Sequence, residues 1–300
     1  MEERERRGDL VEIYSRQDET EYWLEIDLLH PLVKGGDSRN YRLAKTARLI
    51  LFPYSIGSAA KSRLLSEEEI AHQYPQTWLY LEKQKIYLES REHGKMAGDA
   101  WYGFSRNQAL DVMPLSKIFT PDIAPSSAFS LDATGDIFFT GGVSGGYGIV
   151  VKPDYSREFI LGLLNSKLLN WYNTKMSTQM RGGYWSFESK YIGKWPICGI
   201  NPETQNKRGQ VAELVKSMIA VSEQAAISKT AQDRKMLTRQ REITERKINQ
   251  LVYELYDLTP EETALVENAD APTPHDMINL VWEGGAKIAD DFNELPEGFT

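Results

Sequence analysis

Apolar residues run along this chain in two rhythms. Short runs rich in β-branched and aromatic residues dominate to about residue 200, and a three-to-four-residue helical spacing follows. "LVEIY" (10–14) reads as a short strand. "WLEIDLLHPLVKGGDSRNYRL" (23–43) carries an apolar run that stops at Gly35–Gly36, a turn signal. "ARLILFPYSI" (47–56) reads as a strand ended near Pro53. Ser66 before Glu67–Glu69 predicts a helix start, and "PQTWLYLEKQKIYLESRE" (75–92) a helix with Trp78, Leu81 and Leu88 on one face and Lys85 between them. "KIFTP" (117–121), "SAFSL" (127–131), "DIFFT" (136–140) and "YGIVV" (147–151) predict short strands. "PDYSREFILGLLNSKLLNWYN" (153–173) predicts a helix begun by Pro153 and Asp154. Its core-like leucines are interrupted by Asn165, Ser166 and Lys167, and Trp171–Tyr172 follow. A glycine-rich aromatic loop occupies 180–197.

Beyond Pro202 two amphipathic stripes appear. Val211, Leu214, Val215, Met218 and Ile219 form one, and Ile243, Ile248, Leu251, Val252 and Leu255 the other. Two such stripes joined by a polar link predict an antiparallel helical pair. Thr259, Pro260 and the acids behind them start a further helix. The expected class is α+β: a mixed domain of short strands and helices, then a C-terminal antiparallel pair of long helices. The expected division is a linker-like segment at 1–21, a mixed domain at 22–200, the helical pair at 201–267 and an acidic tail at 268–300.

Charge changes the picture. The whole chain carries a net −8. Residues 1–30 hold 4 basic and 10 acidic residues, residues 31–251 hold 30 and 21, and residues 252–300 hold 1 and 12. A basic body therefore sits between acidic ends, and the local field decides whether phosphate is attracted. Cys198 is the one cysteine, so no disulfide can form within the chain, as suits a reducing cytoplasm. No apolar run reaches the ~18 residues of a spanning helix, and a soluble cytoplasmic protein is expected.

Several chemistries are weak on these residues. "TGGVSGGYG" (140–148) is followed by no Gly-Lys-Ser/Thr and opens no helix, so it reads as a hairpin loop and not a nucleotide cradle. The chain has no Pro-Pro, which an amino-methyltransferase loop would use. Asp154 with Glu188 and Lys190 imitates a Mg²⁺ nuclease site, but the setting is a helix start and a loop. His30, His72, His93 and His275 are scattered, and no metal site or catalytic residue is assigned. Nucleic-acid contact fares better. Basic, amide and aromatic residues interleave at Lys34, Arg39, Asn40, Tyr41 and Arg42, again at Arg106, Asn107 and Gln108, and again at Lys175, Gln179, Arg181, Tyr184, Trp185 and Lys190. These side-chain types bind phosphates and read base edges.

"LEIDLLHPLVKGGDSRNYRL", "WYGFSRNQAL", "KIFTPDIAPSSAFSLD", "ILGLLNSKLLNWYN", "QMRGGYWSFESKYIGKWPI" and "INQLVYELYDLTPEE" occur in that order over 24–267. In this combination the chain resembles the TaqI-like C-terminal specificity domain of adenine-specific DNA methyltransferases and their fused or paired restriction enzymes. The resemblance implies a target recognition domain at 22–200 that reads double-stranded DNA. It implies a partner methyltransferase half that holds the S-adenosylmethionine and the catalytic loop, with no cofactor in this chain. The helical pair is then expected to hold that half or a second copy as a homodimer. Competing readings are the nuclease and an interaction module acting through the helices.

Overall fold

The computed structural model describes residues 1–56, 61–106, 109–142 and 144–269. The strands are β1 (Glu2–Arg7), β2 (Leu10–Ser15), β3 (Thr20–Glu25), β4 (Leu29–Val33), β5 (Ser38–Arg39), β6 (Arg42–Leu43), β7 (Leu49–Leu51), β8 (Tyr54–Ile56), β9 (Ser62–Leu64), β10 (Lys117–Pro121), β11 (Ile123–Ala124), β12 (Ser130–Asp132), β13 (Phe138–Phe139), β14 (Gly146–Ile149) and β15 (Trp185–Ser186). The helices are α1 (Glu67–Gln73), α2 (Pro75–Ser90), α3 (Arg157–Leu164), α4 (Lys167–Met176), α5 (Ser189–Ile192), α6 (Gln205–Ile227), α7 (Ala231–Leu255) and α8 (Pro260–Glu267). The α+β class expected from the sequence is the observed one. The chain forms two compact units. Unit 1 holds residues 1–33, 45–116 and 133–139, and unit 2 holds 34–44, 117–132 and the rest.

In unit 1, β1, β2 and β3 form an antiparallel meander. The expected linker at 1–21 is therefore a sheet. Alternation along β2 buries Val11, Ile13 and Ser15 on one face, which is what a half-buried strand requires. That strand is legible at 10–14, whereas the charged residues of β1 hide the first strand of the sheet. The Glu25 carboxylate at the end of β3 accepts hydrogen bonds from the N–H groups of Gln76 (2.9 Å) and Thr77 (2.8 Å) at the start of α2. That anion meets the positive end of the helix. Ser66 caps α1 in a capping box with Glu69, as its sequence predicts. Val11, Leu24, Leu51, Ile70, Leu81 and Trp101 share the core of this unit.

In unit 2, β10 lies between β12 and β14 in an antiparallel sheet. The predicted hairpin at 140–148 does not form. β14 pairs with β10, whereas β13 pairs with β4 within unit 1. The expected single helix over 153–173 is two, because Ser166 leaves the helix and caps α4 by accepting the Leu169 N–H (3.2 Å). Nor does the expected boundary at 200 separate two cores. Leu161, Leu164, Val211, Val215, Ile248 and Val252 belong to one cluster. Their apolar stripes have no other face to cover them. α6 and α7 are joined by Ser228–Thr230, so short a link that the helices fold back on each other. Ile243, placed in the second stripe, is 40% exposed, because it lies five residues before Ile248 and off the buried face.

Two packing features set the tolerance of this core. A Cβ on Gly162 would stand 2.8 Å from Val211 Cγ1 and 2.9 Å from Val215 Cγ2. Both neighbours are β-branched and stiff. Gly162→Ala should therefore lower stability by about 1–2 kcal/mol despite the better helix propensity of alanine, as read by denaturant unfolding. Lys117 and Asp132 form an ion pair of 2.7 Å with both side chains 2% exposed, directly opposite in the β10–β12 register. Lys117→Met should cost about 3–5 kcal/mol by leaving a buried charge. Adding Asp132→Leu should recover much of that loss in the same melts.

Candidate nucleic-acid interface

Arg39 and Arg42 stand directly opposite each other on the short β5–β6 hairpin. The approach to the hairpin is fixed first, as the Lys34 N–H donates to the Asp37 carboxylate at 2.7 Å. Ser38 Oγ then lies 2.8 Å from Ser130 Oγ and also bonds the Ala128 carbonyl. At the turn, Tyr41 has φ +63°, an unfavourable region for a residue with a Cβ. Its N–H donates to the Phe129 carbonyl (2.9 Å), and its ring is 2% exposed in the core. Tyr41 was expected among the DNA contacts; it is instead the buried pin of the hairpin. Burial raises its hydroxyl pKa strongly. The exposed Arg39 guanidinium donates to the Ser38 carbonyl (2.8 Å) and to that of Gly36.

The partner of this hairpin, segment 127–130, is positioned by asparagines around α4. Asn165 Oδ1 accepts the Phe129 N–H at 3.0 Å, and its Nδ2 donates to the Phe129 carbonyl at 2.9 Å. Asn170 Oδ1 accepts the Ser127 N–H at 2.7 Å. Asn173 Nδ2 donates to the Ser186 carbonyl at 3.2 Å, on the loop side. Lys167 pairs with Glu267 on α8. Within the polar triplet, Asn165 and Ser166 thus hold backbone, and Lys167 forms an ion pair. Next to them, the 179–185 loop closes through the Met180 N–H and the Tyr184 carbonyl (2.7 Å), with Gly182 and Gly183 at positive φ and Arg181 exposed at its tip.

These pieces line one cleft of about 790 Å³. Arg39, Asn40, Arg42, Tyr184 and Arg241 face it together with Ser126, Ser127 and Ser222, and no lining residue among those described is acidic. Lys34 immediately precedes Gly35 at its edge. Lys175 and Trp185 line a separate cavity of about 780 Å³ with Trp171, and Lys175 Nζ sits 5.7 Å from the Trp171 ring. Gln179 is exposed and bridges to Trp185. Lys190 is tied to Glu188 at 2.8 Å, and that hydrogen bond holds its ammonium pKa up. Arg106 is exposed in unit 1 and belongs to neither cavity, while Asn107 and Gln108 lie outside the described residues. Arg241 and Ser222 were missed, since a lone arginine in a charged helix has no sequence signature.

A family model described as the TaqI-like C-terminal specificity domain matches residues 31–197, more than half of the chain. The chain belongs to that family. A TaqI-like specificity domain is the DNA-recognition part of a restriction-modification system, acting with DNA and a methyltransferase partner. The matched region contains Arg39, Asn40, Arg42 and Tyr184, whereas Ser222 and Arg241 fall beyond it. No curated protein matches the chain. No helix among the described residues is long and apolar enough to cross a membrane.

Two residues of the nuclease imitation, Glu188 and Lys190, are tied to each other. Glu188 accepts from Ser186 Oγ (3.1 Å) and pairs with Lys190. The Asp122 carboxyl feels both charges of that pair. Among the described residues, no three His, Cys, Asp or Glu side chains converge as a metal site. Asp122 Oδ1 is buried without a hydrogen-bond partner among the described residues, and burial, with Glu188 adding to it, raises the Asp122 pKa. The folded protein therefore holds this proton to higher pH than the unfolded chain does. The resulting penalty grows as pH rises from the ordinary carboxylate value and is complete above the raised one. Asp122→Asn should raise the thermal midpoint at neutral pH, and the gain should vanish when both states are protonated in acid; a pH series of thermal melts reads it.

Proposed function

We propose that this chain binds double-stranded DNA as the target recognition part of an N6-adenine methyltransferase system, with the arginine cleft as its main contact surface. The observation that carries this reading is the juxtaposition of Arg39 and Arg42 in register on a tethered hairpin. Like charges directly opposite on a strand pair are destabilising. Their retention suits a surface whose charge is neutralised by phosphate. The Arg42 side chain has no hydrogen bond or ion pair with any described residue, so its guanidinium is uncommitted. Asn40 and Tyr184 bring amide and phenol groups to the same place, the first suited to a base edge and the second to phosphate or base.

The mechanism is non-covalent. Arg39, Arg42 and Lys34 set register on the strand, and Arg181 projects from a glycine turn toward the DNA. The chemistry belongs to the methyltransferase half, to which we assign the S-adenosylmethionine. The cytoplasm is the compartment this role implies.

Electrophoretic mobility shifts across salt and across duplex sequences test the reading. Affinity should fall steeply with salt, and one duplex family should bind well above the rest. Arg42→Ala should flatten the plot of log affinity against log salt by about 0.9 if the side chain meets one phosphate. Equal affinity for every duplex at every salt concentration would overturn the proposal.

A further inference from the structure

Part of the cleft wall comes from α6 and α7, outside the region the family model matches. Ser222, Ala225 and Ala226 are spaced three and four residues apart, which puts them on one face of α6. Their small side chains leave the cleft open beside them. Ser127 and Ser222 are each 3% exposed, and neither hydroxyl has a hydrogen-bond partner among the described residues. Arg241 Nε is also buried, with no hydrogen-bond partner among the described residues. Glu245, one turn along α7, feels the Arg241 charge, yet Arg241 forms no ion pair with any described residue.

Buried polar groups are ordinarily paired, and three unpaired ones at a single cleft need a reason. Two hydroxyls and a guanidinium share one complementary ligand chemistry, an oxyanion. The lack of a carboxylate among the described lining residues selects the same ligand. Arg39 and Arg42 add charge of the right sign in the same cleft.

We propose that Ser127, Ser222 and Arg241 form a phosphate clamp that holds a phosphodiester of the DNA backbone, so that the helical pair is part of the DNA-contacting surface. The inference rests on the DNA-binding reading above. It gives the α6–α7 pair a role beyond the partner docking expected of it. The clamp grips backbone, so it contributes affinity and register and no base preference.

Fluorescence anisotropy of the full chain with short duplexes of different sequence, over a salt series, tests the clamp. Arg241→Gln should flatten the salt slope by about 0.9 and weaken every duplex by the same factor. Arg241→Lys should restore most of the slope. Ala226→Glu places a carboxylate at an exposed helical position of the cleft, where glutamate is a good helix former, and should weaken binding several-fold. If Arg241→Gln melts early, Ala226→Glu carries the test. An unchanged slope in Arg241→Gln together with unchanged affinity in Ala226→Glu, while the unaltered chain binds DNA, overturns the clamp and leaves the DNA reading standing. An unaltered chain that binds no duplex overturns the DNA reading itself. Inorganic phosphate provides the second arm. An Arg241-dependent rise in melting temperature with inorganic phosphate, without any change in duplex binding, marks a free-phosphate site and overturns the clamp on DNA.

Discussion

The hydrogen-bonded pairing of Asn165 with both backbone groups of Phe129 is the constraint on which the candidate interface depends. A buried peptide group must find partners, and a carboxamide matches it donor to acceptor and acceptor to donor. Using Asn165 in this way ends α3 and lets Ser166 start α4. It also fixes the segment to which the β5–β6 hairpin is tied, since Tyr41 bonds the same Phe129 carbonyl and Ser38 reaches Ala128 and Ser130. The arginines of the hairpin thus stand on a platform held from within the core. A loop carrying the same side chains without these ties would lose conformational entropy on binding.

The second organising element is the apolar seal between α3 and the helical pair. Gly162 admits Val211 and Val215 to near contact, and Ile248 and Val252 complete the cluster. Because this core is continuous, α6 and α7 are held to the recognition elements of unit 2, and their Ser222 and Arg241 reach the same cleft as Arg39 and Arg42. Electrostatics then works locally. A chain of net charge −8 presents a cleft with three arginines and no acid among the described lining residues. Over distances beyond about a Debye length, salt screens the acidic ends, so the near field decides what charge the cleft attracts.

Legibility varied with the range of the interaction. Ser66 and Thr259 announced their helices, because a cap depends on neighbours three residues away. Arg39, Asn40, Arg42 and Tyr184 are candidates from basic, amide and aromatic residues interleaved in short segments, and they line one cleft. Tyr41 was misplaced, since nothing local reveals that a turn residue in the left-handed region sends its ring into the core. β2 is legible as the short strand at 10–14, whereas β1 is not, because its run of charged residues shows no apolar alternation.

The sequence by itself determined the α+β class, most of the helices and short strands, the basic middle of the chain and the family to which it belongs. Each of these follows from periodicity, capping or motif order, which are properties of neighbouring residues. Only the tertiary structure decided that Asn165 holds Phe129, that Lys117 and Asp132 meet in the core, and that Arg241 joins Arg39 and Arg42. Those partners lie far apart along the chain. Their meeting is fixed by which apolar faces must cover one another, and no local pattern encodes that choice.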